Sequence, residues 1–488
     1  MAADYTIRNA TIIDGSGREG FPGDVSIDGD VMAAVGEGLD AAVEIDGQGM
    51  VVAPGFIDTH SHDDGAFVRY PGMEFKLAQG VTTDVSGNCG FSAAPNVPGE
   101  TPPGGGALRF PGPWHDLAEY FDACLAEKPA INNLMLIGHN TVRGWVMGNE
   151  QREATAAELA QMRAHIERGM EQGACGFSTG LIYEPGRYSD TSEVTALAGV
   201  AGQYGGIYAT HMRNEGDYLL ESVEEALGIG RAAGCGVHIS HHKASGPKNH
   251  GRCRESLALI DRAVDEGHDV TLDVYPYIAG SGPMHQYFRL DNISLELAEA
   301  IRIASCPDRR EWEGRMLSDI AEAEGLSLED AVREAITGPR GKETICIQFT
   351  MHEDDVETNL QHPRVMVGSD GIPNLNGAPH PRLYGTFPRV LGNYVRERGV
   401  LPLTEAIRKM TSLPCERFGI PDRGYVREGL VADLVVFDPR EVIDLATWDE
   451  PKREPAGIRK VFVSGALAYD DGEHTGAGTG KMLRYRAG

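Results

Sequence analysis

Two rhythms of apolar and polar residues divide this chain. Near the N-terminus "YTIRNATIIDGSG", "GDVSIDGDVMAAVGE" and "AVEIDGQGMVVAPG" alternate apolar and polar positions between Gly and Asp, the pattern of short antiparallel strands joined by turns. The same rhythm returns near the other end in "GYVREGLVADLVVFDP" and "IRKVFVSGALAYDDG". The two ends are expected to pair into one small β-sandwich domain, residues 1–54 with 416–488. Between them the period lengthens. "ATAAELAQMRAHIERGMEQG" sets Thr155 three residues before Glu158, a capping box, and spaces Leu159, Met162, Ile166 and Met170 along one helical face until Gly173 stops it.

Such helical stretches alternate with short apolar runs: "GFIDTHSH", "GVTTDVSGNCG", "NNLMLIGHN", "ACGFSTGL", "IYATHMR", "GVHISHHK", "DVTLDVYPY" and "RVMVGSDG". Eight parallel strands with crossover helices predict a closed, TIM-like (β/α)8 barrel over 55–415. An open doubly wound sheet does not need eight, and no G-x-G-x-x-G follows the first run. Residues around 280–350 break the rhythm and are expected to form a helical insertion over the barrel mouth. Residues 95–113, rich in Pro and Gly, read as a long loop.

Composition narrows the function. The 488 residues suit a barrel with insertions, and 41% hydrophobic with 24% charged residues is ordinary for a soluble globular protein. No run of about eighteen apolar residues occurs, and the N-terminus reads as a strand rather than a signal peptide. A net charge of −28 repels nucleic acid and anionic lipid, so neither is an expected partner, and an anionic small-molecule substrate needs a local basic pocket. The eight cysteines are scattered without a C-x-x-C pair, which points to reduced thiols in the cytoplasm.

The candidate chemistry gathers at strand ends, where barrels place their active sites. In "APGFIDTHSHDD", His60 and His62 are two apart, so in extended chain both imidazoles point the same way. Cys89 follows the second strand, His139 the third, His211 the fifth, His241 the sixth and Asp370 the eighth. A single buried histidine is more often a hydrogen-bonded core residue than a ligand, but scattered structural histidines have no reason to choose strand ends. His241 and His242 cannot face one site together, whereas Lys243 shares the parity of His241. Asp370 is expected to be a metal ligand or a general base, and His139 is left without a role.

In order along the chain, these motifs, with "YATHMRNEG", "ISHHK", "LDVYPYIAGS", "VGSDG", "PHPRLYGTFPRVLG" and "ADLVVFDP", resemble the N-acyl-D-amino-acid deacylases (D-aminoacylases) of the amidohydrolase superfamily. The resemblance implies zinc-dependent hydrolysis of N-acyl-D-amino acids to a carboxylate and a free D-amino acid. It places one tight Zn2+ on Cys89, His211 and His241, and outlines a second, weaker site at His60, His62 and Asp370. Asp370 is implied as the proton carrier. Arg382, in a loop stiffened by two prolines, suits a substrate carboxylate, and Lys243, Tyr275 and Ser281 are implied as further anchors. The alternatives are a cyclic-amide hydrolase of the hydantoinase or dihydroorotase kind, which usually shows a bridging lysine, and a non-catalytic scaffold, whose sign would be lost metal ligands.

Overall fold

The computed structural model describes residues 3–100, 108 and 110–485. Eight parallel strands form its centre: β1 (Phe56–Asp58), β2 (Val81–Ser86), β3 (Asn132–Gly138), β4 (Gly176–Gly180), β5 (Ile207–His211), β6 (Val237–Ile239), β7 (Val270–Val274) and β8 (Val365–Val367). Each pairs in parallel with the next. Both strand faces are buried, even in β2 (VTTDVS) and β4 (GFSTG), where threonine, serine and aspartate stand among the apolar residues. Ile57, Val85, Leu134, Leu136, Ile207, Ala209 and Met366 form one cluster with Phe418 and Ile420, while Phe56, Ile137, Phe177, Tyr208 and Leu272 belong to the larger core shared with the helices.

The seam between β8 and β1 is closed at the mouth. Ser61 bridges Gly371, the Asp370 N–H donates to the His60 carbonyl at 2.7 Å, and the His62 N–H donates to the Gly371 carbonyl at 3.0 Å. The residues that complete the barrel are thus three of the candidate ligands and their neighbours. The helix Ala156–Glu171 carries the expected capping box, with the Thr155 N–H donating to Glu158 at 2.8 Å, and buries Met162, Ile166 and Met170.

The two chain ends build one nine-stranded sheet that includes Ala3–Ile12, Phe21–Asp28, Val51–Pro54, Leu434–Phe437 and Ile458–Val463. Its alternation serves two cores. Val52, Leu434, Val436 and Phe462 pack with Ile7, Val25 and Ile27, whereas Val51, Ala53, Val435, Phe437, Val461 and Val463 join the barrel's large core. The last stretch leaves this sheet for the barrel floor: the Leu483 N–H bonds the Asn133 carbonyl at 2.7 Å and the Tyr485 N–H the Gly173 carbonyl at 2.9 Å.

Between β7 and β8 the segment expected to be helical carries helices Leu295–Glu299, Leu317–Glu324 and Leu328–Thr337, but also an antiparallel sheet of Gly280–Pro283, Ile345–Gln348 and Ile301–Ser305. Apolar runs of four or five residues do not separate strand from helix by period, which is why the strands escape the sequence reading. This insertion has its own core around Ile303, Trp312, Ile320 and Val332. It overhangs a cavity of about 700 Å³ that reaches from His62 and Asp64 out to His285, Arg310 and Lys342. The expected loop at 95–113 falls partly outside the described residues; within it Phe110 lies against Arg69, 4.0 Å from guanidinium to ring centre.

Candidate active site

The site begins as backbone. His211 ends β5, His241 lies two residues past β6, and Cys89 three past β2. Cys89 (φ 52°), His241 (φ 35°) and Asp370 (φ 51°) all sit in the left-handed region, which costs a non-glycine residue about 1–3 kcal/mol and persists only where surroundings enforce it. The enforcing contacts are visible. The His241 N–H donates to Asp273 Oδ1 at 2.8 Å. Gly180 packs so closely that a side chain there would lie 2.1 Å from the Cys89 carbonyl oxygen.

These turns aim the side chains at one point. Cys89 Sγ lies 3.3 Å from His60 Nε2, 3.3 Å from His241 Nε2 and 3.7 Å from His211 Nδ1. Asp370 Oδ1 is 3.2 Å from His62 Nε2 and 3.5 Å from His60 Nε2. The second ring nitrogens of three histidines face carboxylates: His60 Nδ1 is 3.1 Å from Asp273, His241 Nδ1 3.0 Å from Glu215, and His211 Nε2 3.5 Å from Glu215. Carboxylates in that position orient ligating imidazoles and raise their basicity. Ligand atoms of His60, Cys89, His241 and Asp370 all fall within 4.8 Å of one another, as do those of His211, Glu215 and His241.

A zinc ion fits this set. Thiolate, imidazole and carboxylate are its usual donors, and here all three converge from buried side chains. Burial alone raises the Cys89 thiol, but His241 and His60 bring it well below its ordinary value. Burial likewise opposes an ionised Asp370, yet Arg382, His60 and His62 hold that carboxyl well below the usual range. His62 is disfavoured as a cation by burial, but Asp370 and Cys89 raise it to about 9.

On the far side of Asp370 lies Arg382, fully buried, with Nη1 2.9 Å from Asp370 Oδ2 and Nη2 donating to the Ser281 carbonyl at 3.3 Å. Its plane lies 4.5 Å over the Tyr275 ring. Nε and Nη1 make no hydrogen bond to the described residues; Nη1 meets Asp370 as a charge without bond alignment. A buried guanidinium with unsaturated N–H groups is a receptor for an anion. Lys243 Nζ is 2.6 Å from Glu215 and 2.7 Å from His241 Nδ1. Arg382, Tyr275, Ser281 and Lys243 are neighbours: the Tyr275 ring centre is 4.5 Å from the Arg382 guanidinium and 5.8 Å from Lys243 Nζ. His242 turns away to Asn359 and Ser256 at 2.6 and 2.9 Å, sent there by the left-handed turn at His241 rather than by strand alternation.

His139 stands apart: its Nε2 pairs with Glu193 at 2.8 Å, and its ring packs edge-on to Phe177. Sequence reasoning missed Glu215 and Asp273, the carboxylates that orient the rings. Glu215 was signalled by its place four residues after His211, and Asp273 by being a charge inside an apolar strand.

Residues 43–305 and 288–469 match the Amidohydrolase family. The chain is 43% identical to a D-aminoacylase of Alcaligenes xylosoxydans xylosoxydans over 98% of its own length and 97% of the relative's. It is also 43% identical to an N-acyl-D-glutamate deacylase of that bacterium, over 96% and 93% of the two chains. Among solved structures, an N-acyl-D-glutamate deacylase from Bordetella bronchiseptica, complexed with zinc and a phosphonate mimic of the tetrahedral intermediate, superposes with a TM-score of 0.92 at 41% identity, covering 99% of this chain and 100% of that one.

Proposed function

This chain belongs to the amidohydrolase family, and from that premise we propose that it catalyses zinc-dependent hydrolysis of N-acyl-D-amino acids to a carboxylate and a free D-amino acid. The observation that carries the reading is the junction of two devices: a thiolate ringed by three imidazoles, and a buried, unsaturated guanidinium on the other side of Asp370. Cys89, His211 and His241 would hold one zinc tightly, and His60, His62 and Asp370 a second more weakly. Zinc bound there would supply Lewis acidity, polarising an amide carbonyl and lowering the pKa of a water toward neutrality.

The protein's own groups do the rest. Asp370, kept ionised by Arg382 and His60, takes the proton released as the water oxygen bonds to the acyl carbon. It then returns that proton to the nitrogen as the carbon–nitrogen bond breaks, so one carboxylate serves as base and acid in turn. Arg382 grips the substrate's α-carboxylate in a fork, with Tyr275 beneath it, and Lys243 adds a second positive charge. The Ser281 carbonyl fixes the guanidinium's angle. The cavity beyond His62 takes the remaining arms of the substrate. The preference for the D configuration rests on the names of the similar enzymes.

The same reading divides the chain into a catalytic unit, 55–415, and a β unit, 1–54 with 416–488, a division the shared nine-stranded sheet supports. Among the described residues no helix is long and apolar enough to cross a membrane, and every described cysteine is free, which supports a reducing, cytoplasmic setting. The deciding assay is a panel of N-acetyl-D- and N-acetyl-L-amino acids with zinc added. Release of D-amino acids well above the L series is expected. Turnover of cyclic amides with none of linear N-acyl compounds would overturn the proposal.

A further inference from the structure

One bond away from the candidate ligands lies a charge cluster that the chemistry above leaves unused. Lys76, in the short helix Glu74–Leu77, is fully buried. Its ammonium faces three carboxylates with equally buried side chains: Asp58 in close contact, Asp63 at 2.8 Å and Asp84 at 3.3 Å. Asp58 and Asp84 stand opposite each other in the β1–β2 register, where like charges repel. Burial opposes a charged lysine, but the three carboxylates raise Lys76 well above its ordinary value, so it remains an ammonium.

Two of these carboxylates, and Ser369, lead into the site. Asp58 Oδ1 accepts the His60 N–H at 3.2 Å and the Ser369 N–H at 2.8 Å. Ser369 Oγ accepts from Lys76 at 3.2 Å and from the Gly371 N–H at 3.0 Å, bracketing Asp370. Ser61, between His60 and His62, donates to Asp84 Oδ2 at 2.7 Å. One ammonium therefore joins the ends of β1, β2 and β8, across the seam where β8 and β1 meet in a single bridge among the described residues.

We propose that Lys76 is a positioning residue for the amide hydrolysis: it clasps the ends of β1, β2 and β8 so that His60, His62 and Asp370 keep their mutual geometry. It touches neither substrate nor reacting atoms, and the inference rests on the zinc-dependent reading above. A residue that only balances buried charge would be replaceable by removing one charge of each sign; a clasp would not.

The test uses Lys76→Met/Asp84→Asn, which removes one charge of each sign, and Ser369→Ala, which leaves every charge in place. Zinc isotherms by chelator competition, melting temperature, kcat and KM are measured beside the native protein. The first zinc, on Cys89, His211 and His241, is expected to bind alike in all three. Binding beyond it should weaken by about tenfold or more, and kcat should fall about 10- to 100-fold with KM nearly unchanged, the scale seen when groups behind metal ligands are lost. Native kcat in either variant, or loss of the first zinc together with the second, overturns the proposal. If the double variant does not fold, Ser369→Ala decides by the same criteria. Native protein that hydrolyses no N-acyl-D-amino acid would remove the functional reading, and the isotherms alone would then judge Lys76.

Discussion

Replacing Arg382 by Met tests the substrate class at its most exposed point. The side chain is fully buried and its charge is 2.9 Å from Asp370, so Met fills much of the space while deleting both the fork and the charge. For an N-acetyl-D-amino acid, the α-carboxylate would then be desolvated without its forked partner, with only the Lys243 charge nearby. Stranding one member of a buried charge pair costs about 2–5 kcal/mol, or about 30- to 5000-fold in kcat/KM at roughly 1.4 kcal/mol per decade. The C-terminal amide of the same substrate has no charge to strand and should lose far less. The paired comparison cancels any general damage to folding, which lowers both alike. A second signature follows from Asp370. Arg382 helps hold that carboxyl below its usual range, so its removal raises the pKa. The base then protonates at higher pH, and the acid limb of kcat moves upward. Equal losses for acid and amide would refute the carboxylate grip and reopen the cyclic-amide alternative, because a ring substrate without a free carboxylate needs no such anchor.

Other outcomes test the remaining parts. Cys89→Ala should lose bound zinc and activity together, since Sγ is the thiolate of the first site and lies 3.3 Å from both His60 and His241; unchanged zinc content by metal analysis would remove Cys89 from the centre. Asp370→Asn should keep the first zinc while kcat falls about 10²- to 10⁴-fold, and a loss under tenfold would mean that Asp370 does not carry the proton. The mouth sets Arg69, Arg310, Arg340 and Lys342 against Asp64, Glu184 and Glu343. In a chain of net charge −28 this is a local bias toward anions. Raising salt from about 0.02 to 0.5 M should therefore lower kcat/KM severalfold through screening, with kcat steady; a flat dependence would refute steering.

The order of the eight barrel strands was legible because it depends on local pattern, and the same pattern marked the histidines, Cys89 and Asp370 near strand ends as candidates. A strand end places His60 or His211 by simple counting, whereas His241 reaches the site through a left-handed turn past β6 that strand alternation does not describe. What the sequence hid lies in contacts between distant segments. Asp273 reads as one charge in an apolar strand, and nothing local says that it sits 3.1 Å from the His60 ring, 213 residues away. Lys76 stands in no motif; its burial becomes visible only when β1, β2 and β8 are assembled. The strands of the insertion were lost for the opposite reason, being too short for their period to show.

The geometry of the seam gives those hidden residues a common purpose. A barrel strand of three residues, such as β1 or β8, has little backbone pairing of its own, and here the pairing across the seam comes from the backbone of His60, His62, Asp370 and Gly371. Ligand placement and barrel closure are therefore one structural event. Three left-handed turns at Cys89, His241 and Asp370 would relax if the contacts around them loosened, moving the thiolate, an imidazole and the base together. The buried charges of Lys76, Asp58, Asp84 and Asp273 stand where that loosening would begin. Hydrophobic residues there would supply packing but no directional bonds to the turn amides, such as Asp273 makes with the His241 N–H. The energetic cost of burying so many charges beside the site is met by a set of backbone bonds that fixes where the reacting groups point.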